Sequence, residues 1–236
     1  MSCLNRPELV DFDLGHVLVP FSPQKFYDYV LANQPPGAIN PERFFGFNCV
    51  TKFDLGFIDK GEFCRELKRR LCLDVGDEEF LYHYCDIMKP DFRMLALKGM
   101  LKENGFKLAV VSNINHCHFE HVQKTWPEVF SDFDYLALSF QLHARKPNFK
   151  MYRAPSENLG VPPERCFLID DLKINIDAFE RWGGVGHHYN VTDENFFPNG
   201  RLETQRNRLL LRMVNLGMLS LSQASSIARI DLAQLE

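Results

Sequence analysis

The sequence predicts an α/β fold: a doubly wound parallel sheet with an α-helical bundle inserted after its first strand. Three observations carry this. Short apolar runs closing on polar or acidic residues recur at Leu9–Asp13, Phe106–Ser112, Asp134–Ser139 and Arg165–Asp171. From Met94 onward these runs alternate with helical segments, the pattern of right-handed βαβ units. Between Pro20 and Asp91 there is no strand pattern, only helical stretches separated by Pro and Gly breaks.

In chain order, the first strand belongs to the stretch LVDFDLGHVLVPF, Leu9–Phe21. Asp11 and Asp13 stand at its end, and Gly15 supplies the turn before Val17 and Leu18. A carboxylate there is aimed at the cleft where ligands of open α/β sheets bind. The bland alternative is an Asx turn closing an ordinary strand.

The inserted region reads as four helices, Gln24–Leu31, Glu42–Phe47, Lys60–Leu71 and Asp77–Met88, broken at Pro35-Pro36-Gly37 and Lys89-Pro90. The third is the clearest, with Phe63, Leu67 and Leu71 at helical spacing opposite Glu62, Arg65, Lys68 and Arg69. Helix Met94–Asn104 stops at Gly105, a C′ glycine. Apart from Lys107, Phe106–Val111 is a continuous apolar strand, of the kind buried on both faces of a parallel sheet. Helix Asn115–Lys124, strand Asp134–Ser139, helix Pro147–Leu159, strand Arg165–Ile169, helix Asn175–Trp182 and edge strand Gly183–Tyr189 follow.

After Thr192, Leu202, Leu209, Leu210, Met213 and Leu216 make one apolar helix face ending at Gly217, and a second helix covers Leu221–Ile227. These helices dock on the core or on a partner, so both a monomer and a homodimer stay open. The expected division is a core of residues 1–19 and 91–195, a helical cap of 20–90 and a C-terminal appendage of 196–236.

Composition narrows the function classes. The chain has 236 residues, 45% of them hydrophobic, enough for a sizeable core. Lys and Arg number 27 against 31 Asp and Glu, a balance that calls for neither nucleic acid nor a membrane surface as partner. No apolar run approaches the roughly 18–20 residues of a membrane span. The opening MSCLNRPELV is too polar for a secretory leader, and seven cysteines without CxxC spacing predict reduced thiols in the cytoplasm.

A parallel sheet sets four strand ends at one edge: Asp13, Ser112-Asn113, Arg145-Lys146-Pro147 and Asp170-Asp171. Phosphoryl transfer through a carboxylate needs such a set. Asp13 attacks phosphorus and forms an acyl phosphate, while positioning and electrostatics supply the catalysis. Mg²⁺ takes oxygen ligands, here Asp13, Asp171 and the Gly15 carbonyl. Lys146 opposes the phosphate charge, and Asp170 orients Lys146 or a metal-bound water. Ser112, with Asn113 and the backbone N–H groups of the next helix start, binds phosphate oxygens.

This order of motifs resembles the haloacid dehalogenase-like (HAD) hydrolase superfamily. Within it the resemblance is closest to the phosphatase branch with a helical cap (subfamily IA, glucose-1-phosphatase-like). FDLGHVL at 12–18 is similar to that branch's FDLGNVL opening. VVSNINHCHFEH at 110–121, RKPNFKMY at 145–152 and GVPPERCFLIDDLKINIDAF at 160–179 resemble its later motifs, the last with Asn175 and Ala178 in place. FDLGFIDKGEF at 53–63 resembles a recurring cap segment. Over residues 8–190 the resemblance implies a Rossmann-like HAD core with a helical cap. It also implies an Mg²⁺-dependent phosphomonoester hydrolase of a small phosphorylated metabolite, such as a sugar phosphate, working through an aspartyl-phosphate. The cap would close over the site on hinges near Val19–Ser22 and Pro90–Arg93.

The chain also departs from the pattern. The family usually carries a second aspartate, the general acid, two residues after the nucleophile, and here that residue is Gly15. His16 is a substitute acid or an ordinary turn histidine. An alternative register makes Asp11 the nucleophile and Asp13 the acid, but it puts Leu14 where the glycine turn belongs. His143 stands where relatives often have glycine. His116, His118 and His121, and His187-His188, fall short of the ligand count of a zinc site, and Cys117 reads as a packed thiol. Two rival functions remain, a metal-free 2-haloacid dehalogenase and a non-catalytic binding or regulatory protein with a degraded site.

Overall fold

A computed structural model describes residues 6–190 and 201–229. Five parallel strands, β1 (Leu9–Phe12), β2 (Lys107–Ser112), β3 (Tyr135–Leu138), β4 (Cys166–Asp170) and β5 (Val185–His188), form one sheet in the order β3-β2-β1-β4-β5. Strand β1 lies in the middle, with Phe12 opposite Val110 of β2 and Ile169 of β4. The chain winds away from β1 in both directions, so β1 borders the switch point where such sheets bind ligands.

Alternation along the strands gives the sheet two buried faces. Val10, Phe12, Leu108, Val110, Phe167 and Ile169 join one apolar cluster, which α5 (Phe92–Glu103) and α10 (Arg201–Asn215) cover. Leu9, Ala109, Val111, Cys166 and Leu168 join the other, under α8 (Phe149–Leu159) and α9 (Lys173–Trp182). Asp11 shares the second face with Leu9 and is wholly buried.

Between β1 and β2 lie α1 (Gln24–Asn33), α2 (Asn48–Asp54), α3 (Lys60–Leu71) and α4 (Asp77–Cys85). They have their own core, in which Phe26, Phe44, Phe53, Phe63, Phe80 and Tyr84 meet. The rings of Phe53 and Phe63 stack at 4.1 Å, and Phe26 meets Phe44 edge-on at 5.3 Å. Helix α3 begins where the Asp59 carboxylate accepts the Glu62 N–H at 2.8 Å. Lys68, Arg69 and Arg70 in its last turn suit the negative end of the helix dipole. The predicted helix at Glu42–Phe47 is instead a 3₁₀ segment, Pro41–Gly46, entered through a proline and left at a glycine.

Helix α6 (His116–Thr125) follows β2, and the short α7 (Ser139–Leu142) follows β3. In the C-terminal part, α10 and α11 (Leu221–Ala228) dock on the core. Leu209, Leu210 and Met213 are buried there, and Arg206 meets Asp91 at 2.8 Å with both side chains under 10% exposed. Asp91 also caps α5, accepting the Arg93 N–H at 3.0 Å. The appendage therefore grips the point where the inserted helices return to the sheet. The expected 195/196 boundary and Cys3 lie outside the described residues, as does the side chain of Leu202. The six described cysteines are free thiols, and no described helix is long and apolar enough to cross a membrane.

Candidate active site

The backbone of β1 places the first site residue. Asp13, one residue past the strand, donates its N–H to the Ile169 carbonyl at 2.9 Å, so its side chain emerges beside the end of β4. The Asp13 Oδ1 accepts the Leu14 N–H at 2.6 Å and lies 2.8 Å from the Lys146 ammonium. On its other side Lys146 donates to Asp170 Oδ2 at 2.6 Å. Asp170 in turn accepts from the Leu172 N–H at 2.9 Å and from Asn175 Nδ2 at 2.9 and 3.1 Å. Asp170 is thus the anchor that holds Lys146 against Asp13 and ties both to the start of α9.

Carboxylate oxygens of Asp13, Asp170 and Asp171 all lie within 4.8 Å of one another. Three buried or half-buried acids face a single ammonium, a deficit of two positive charges if all are ionised. Burial pushes the Asp13 carboxyl well above its usual range. Lys146 pulls it back, and Asp170 and Asp171 push it further up. Asp171 is raised to about 6 by burial and by Asp170. Burial alone would lower the Lys146 pKa, yet Asp13 and Asp170 hold it above its usual value, so the ammonium stays charged. An oxygen-only, doubly electron-rich cluster suits a hard divalent cation.

The four strand ends converge as expected. Lys146 touches Asp13 and Asp170, Asp171 brings a carboxylate oxygen within 4.8 Å of theirs, and Ser112 closes the neighbouring strand β2, buried. Asp11 lies apart from them on the strand, and neither of its carboxyl oxygens has a hydrogen-bond partner among the described residues. Burial pushes its pKa well up, against the pull of Lys146. Asn113 is turned toward Lys146, its Oδ1 accepting the Lys146 N–H at 2.7 Å and its Nδ2 donating to the Lys146 carbonyl at 3.2 Å.

At Gly15 a Cβ would come within 3.2 Å of the Phe21 ring. His16 adopts φ 56° and stacks on the same ring at 4.2 Å, half-buried rather than fully exposed. His143 has φ 50°, the left-handed geometry that favours glycine. The remaining histidines form no metal cluster among the described residues. His118 is buried between the Asn115 amide and the Tyr84 carbonyl. His188 bonds the Asp171 carbonyl at 2.9 Å, steadying the end of the cluster.

Two groups escaped sequence reasoning as site residues. Asn175 was visible as a motif position, without a partner until the fold brought it to Asp170. Asp54, at the end of α2, reaches Asn115 at 3.2 Å across 61 residues of chain, a contact no local pattern reports.

Comparison with known proteins places this geometry. A sequence profile described as haloacid dehalogenase-like hydrolase matches residues 40–183. A HAD family enzyme from Bacteroides thetaiotaomicron, solved in complex with magnesium and inorganic phosphate, is similar in structure with a TM-score of 0.67. Its identity is 20%, over 81% of this chain and 100% of that chain. A predicted HAD-like family hydrolase from Porphyromonas gingivalis gives 0.64 at 20% identity, over 77% of this chain and 90% of that one. An L-2-haloacid dehalogenase from Xanthobacter autotrophicus, with chloropropionic acid covalently bound, gives 0.54 at 14% identity, over 96% and 91%. At these identities the structural likeness speaks for the fold.

Proposed function

The chain belongs to the haloacid dehalogenase-like hydrolases, and from that premise we propose that it is an Mg²⁺-dependent phosphomonoester hydrolase working through an aspartyl-phosphate on Asp13. One observation carries the reading: three carboxylates share a site with a single buried ammonium. The magnesium in the Bacteroides thetaiotaomicron structure supports assigning that cation here. Asp13, Asp171 and the Gly15 carbonyl would hold Mg²⁺, with Asp170 at the edge of the set. Bound there, the ion would neutralise phosphate oxygens and so favour attack by an anionic carboxylate.

The residues of the chain supply the rest. An Asp13 carboxylate oxygen attacks phosphorus while Lys146, fixed by Asp170, faces the phosphoryl oxygens. Ser112 and the N–H groups after it bind another of those oxygens. The bond from phosphorus to the leaving oxygen breaks, and that oxygen takes its proton from water, because residue 15 carries no acid. Water then attacks the aspartyl-phosphate, releasing inorganic phosphate and restoring Asp13. The helices of residues 20–90 act as a cap that excludes bulk water and selects a small phosphorylated metabolite, such as a sugar phosphate.

A panel of phosphomonoesters assayed with Mg²⁺, with Asp13→Asn as control, tests the reading. Hydrolysis by the wild type that is abolished in the variant is expected. Full activity in Asp13→Asn defeats the assignment, and activity on 2-haloacids that survives chelation would point to the dehalogenase reading instead.

A further inference from the structure

We propose that Asp54, supplied by the inserted helices, is a positioning residue for the phosphate-binding loops, acting through Asn115 and Arg145. The proposal rests on the phosphatase reading of the Asp13 site and adds to it a residue from outside the four motifs that form that site.

The end of α2 is fastened to both loops. The Ser139 hydroxyl oxygen accepts the Ile114 N–H at 2.9 Å and has two acceptors for its one hydrogen, the Asp54 backbone carbonyl at 2.7 Å and the Ile114 carbonyl at 2.9 Å. Ser139 therefore bridges the inserted helices to the loop that begins at Ser112. The side chain adds two further contacts. Asp54 Oδ1 accepts from Asn115 Nδ2 at 3.2 Å, and Asn115 Oδ1 caps α6 through the His118 N–H at 3.0 Å. Asp54 Oδ2 lies 3.6 Å from the guanidinium of Arg145, the residue immediately before Lys146.

The next residues continue the seam. The Leu55 carbonyl is 2.8 Å from His143 Nδ1, and a Cβ on Gly56 would lie 2.2 Å from the Phe140 carbonyl oxygen, an approach only glycine permits. One carboxylate thus contacts the loop carrying Ser112 and the loop carrying Lys146, and it does so from the element expected to move. With that element displaced, Arg145 and Asn115 lose the group that holds their loops together.

Packing alone would not call for a charge here. Asp54 is 15% exposed, and burial raises its pKa to about 6 against the pull of Arg145 and the Asn115 hydrogen bond. The other titratable groups facing this seam are the Tyr84 hydroxyl, 3.1 Å from Asn115 Nδ2, the His118 ring, whose Nδ1 is 3.1 Å from the same nitrogen, and the His143 ring. The anionic form of Asp54 is the one that attracts Arg145. Positioning therefore weakens as pH falls through about 6 and is complete above it.

The test compares wild type with Asp54→Asn, which keeps the shape and removes the charge, using p-nitrophenyl phosphate with Mg²⁺ across that pH range. We expect kcat/KM to fall about tenfold above neutral pH. The wild-type to variant ratio should shrink toward one as pH drops through about 6. Arg145→Gln, an exposed-side change that stands in if Asp54→Asn does not fold, should give the same loss and the same pH dependence of the ratio. The double variant should lose no more than either single one. Equal kcat/KM in wild type and both variants, a ratio that ignores pH, or losses that multiply in the double variant would overturn the proposal. If the wild type hydrolyses no phosphoester, the phosphatase reading fails by itself. Calorimetry with inorganic phosphate and Mg²⁺ then decides, with weaker binding by the variants sustaining the positioning role and equal or absent binding ending it.

Discussion

Asn113 and Lys146 are joined by a reciprocal pair of hydrogen bonds, side-chain amide to backbone amide, at 2.7 and 3.2 Å. The contact fixes the backbone of Lys146 and leaves its ammonium to Asp13 and Asp170. Asn113→Ala should let that backbone drift. A displacement of roughly 1 Å at a catalytic group costs on the order of 100-fold, so kcat on p-nitrophenyl phosphate should fall by about one to two orders of magnitude. Unchanged kcat in the variant would show that Asp13 and Asp170 hold Lys146 without help.

His118 makes stability depend on acid. The neighbours dictate its tautomer: Nδ1 accepts from Asn115 Nδ2 at 3.1 Å and Nε2 donates to the Tyr84 carbonyl at 3.0 Å. A second ring proton would face an N–H group, and burial lowers the pKa to about 4. The unfolded chain takes up this proton near pH 6.5 and the folded chain only near 4. Its share of stability is therefore intact above pH 6.5 and is lost as pH falls through that window, by at most about 3 kcal/mol. In urea melts His118→Gln, which offers the same acceptor and donor, should flatten the slope between those values. An unchanged slope would place the titration elsewhere.

Arg206 and Asp91 form a pair that joins α10 to the start of α5, nearly out of contact with solvent. Arg206→Met leaves the Asp91 carboxylate buried without its cation, a loss of about 3–5 kcal/mol. Adding Asp91→Asn removes the stranded charge and should recover part of that loss. Chemical denaturation of the two variants tests it, and a double variant less stable than Arg206→Met would contradict this account.

Much of the sheet was legible because its strands are apolar runs closed by acids or a serine. Lys60–Leu71 was legible because its apolar periodicity is strong, and Met94–Asn104 because it stops at Gly105. The helix Asn48–Asp54 was not, since seven residues opening without a side-chain cap give little periodicity to read. The choice between Asp11 and Asp13 rested on a glycine turn in the sequence. In the structure Asp11 lies within β1, buried in the sheet, whereas Asp13 stands one residue past the strand's end and meets Lys146. FDLGFIDKGEF at 53–63 marked the segment of Asp54, but the seam it makes was not legible, because its contacts join segments 61 to 91 residues apart.

The charge deficit at Asp13, Asp170 and Asp171 is the centre of the account, and calorimetric titration with Mg²⁺ measures it most directly. The wild type should bind one ion per chain, and Asp171→Asn, which lowers the negative charge by one while keeping the shape, should bind it at least about tenfold more weakly. Absence of Mg²⁺ binding by the wild type, or undiminished affinity in Asp171→Asn, would contradict it.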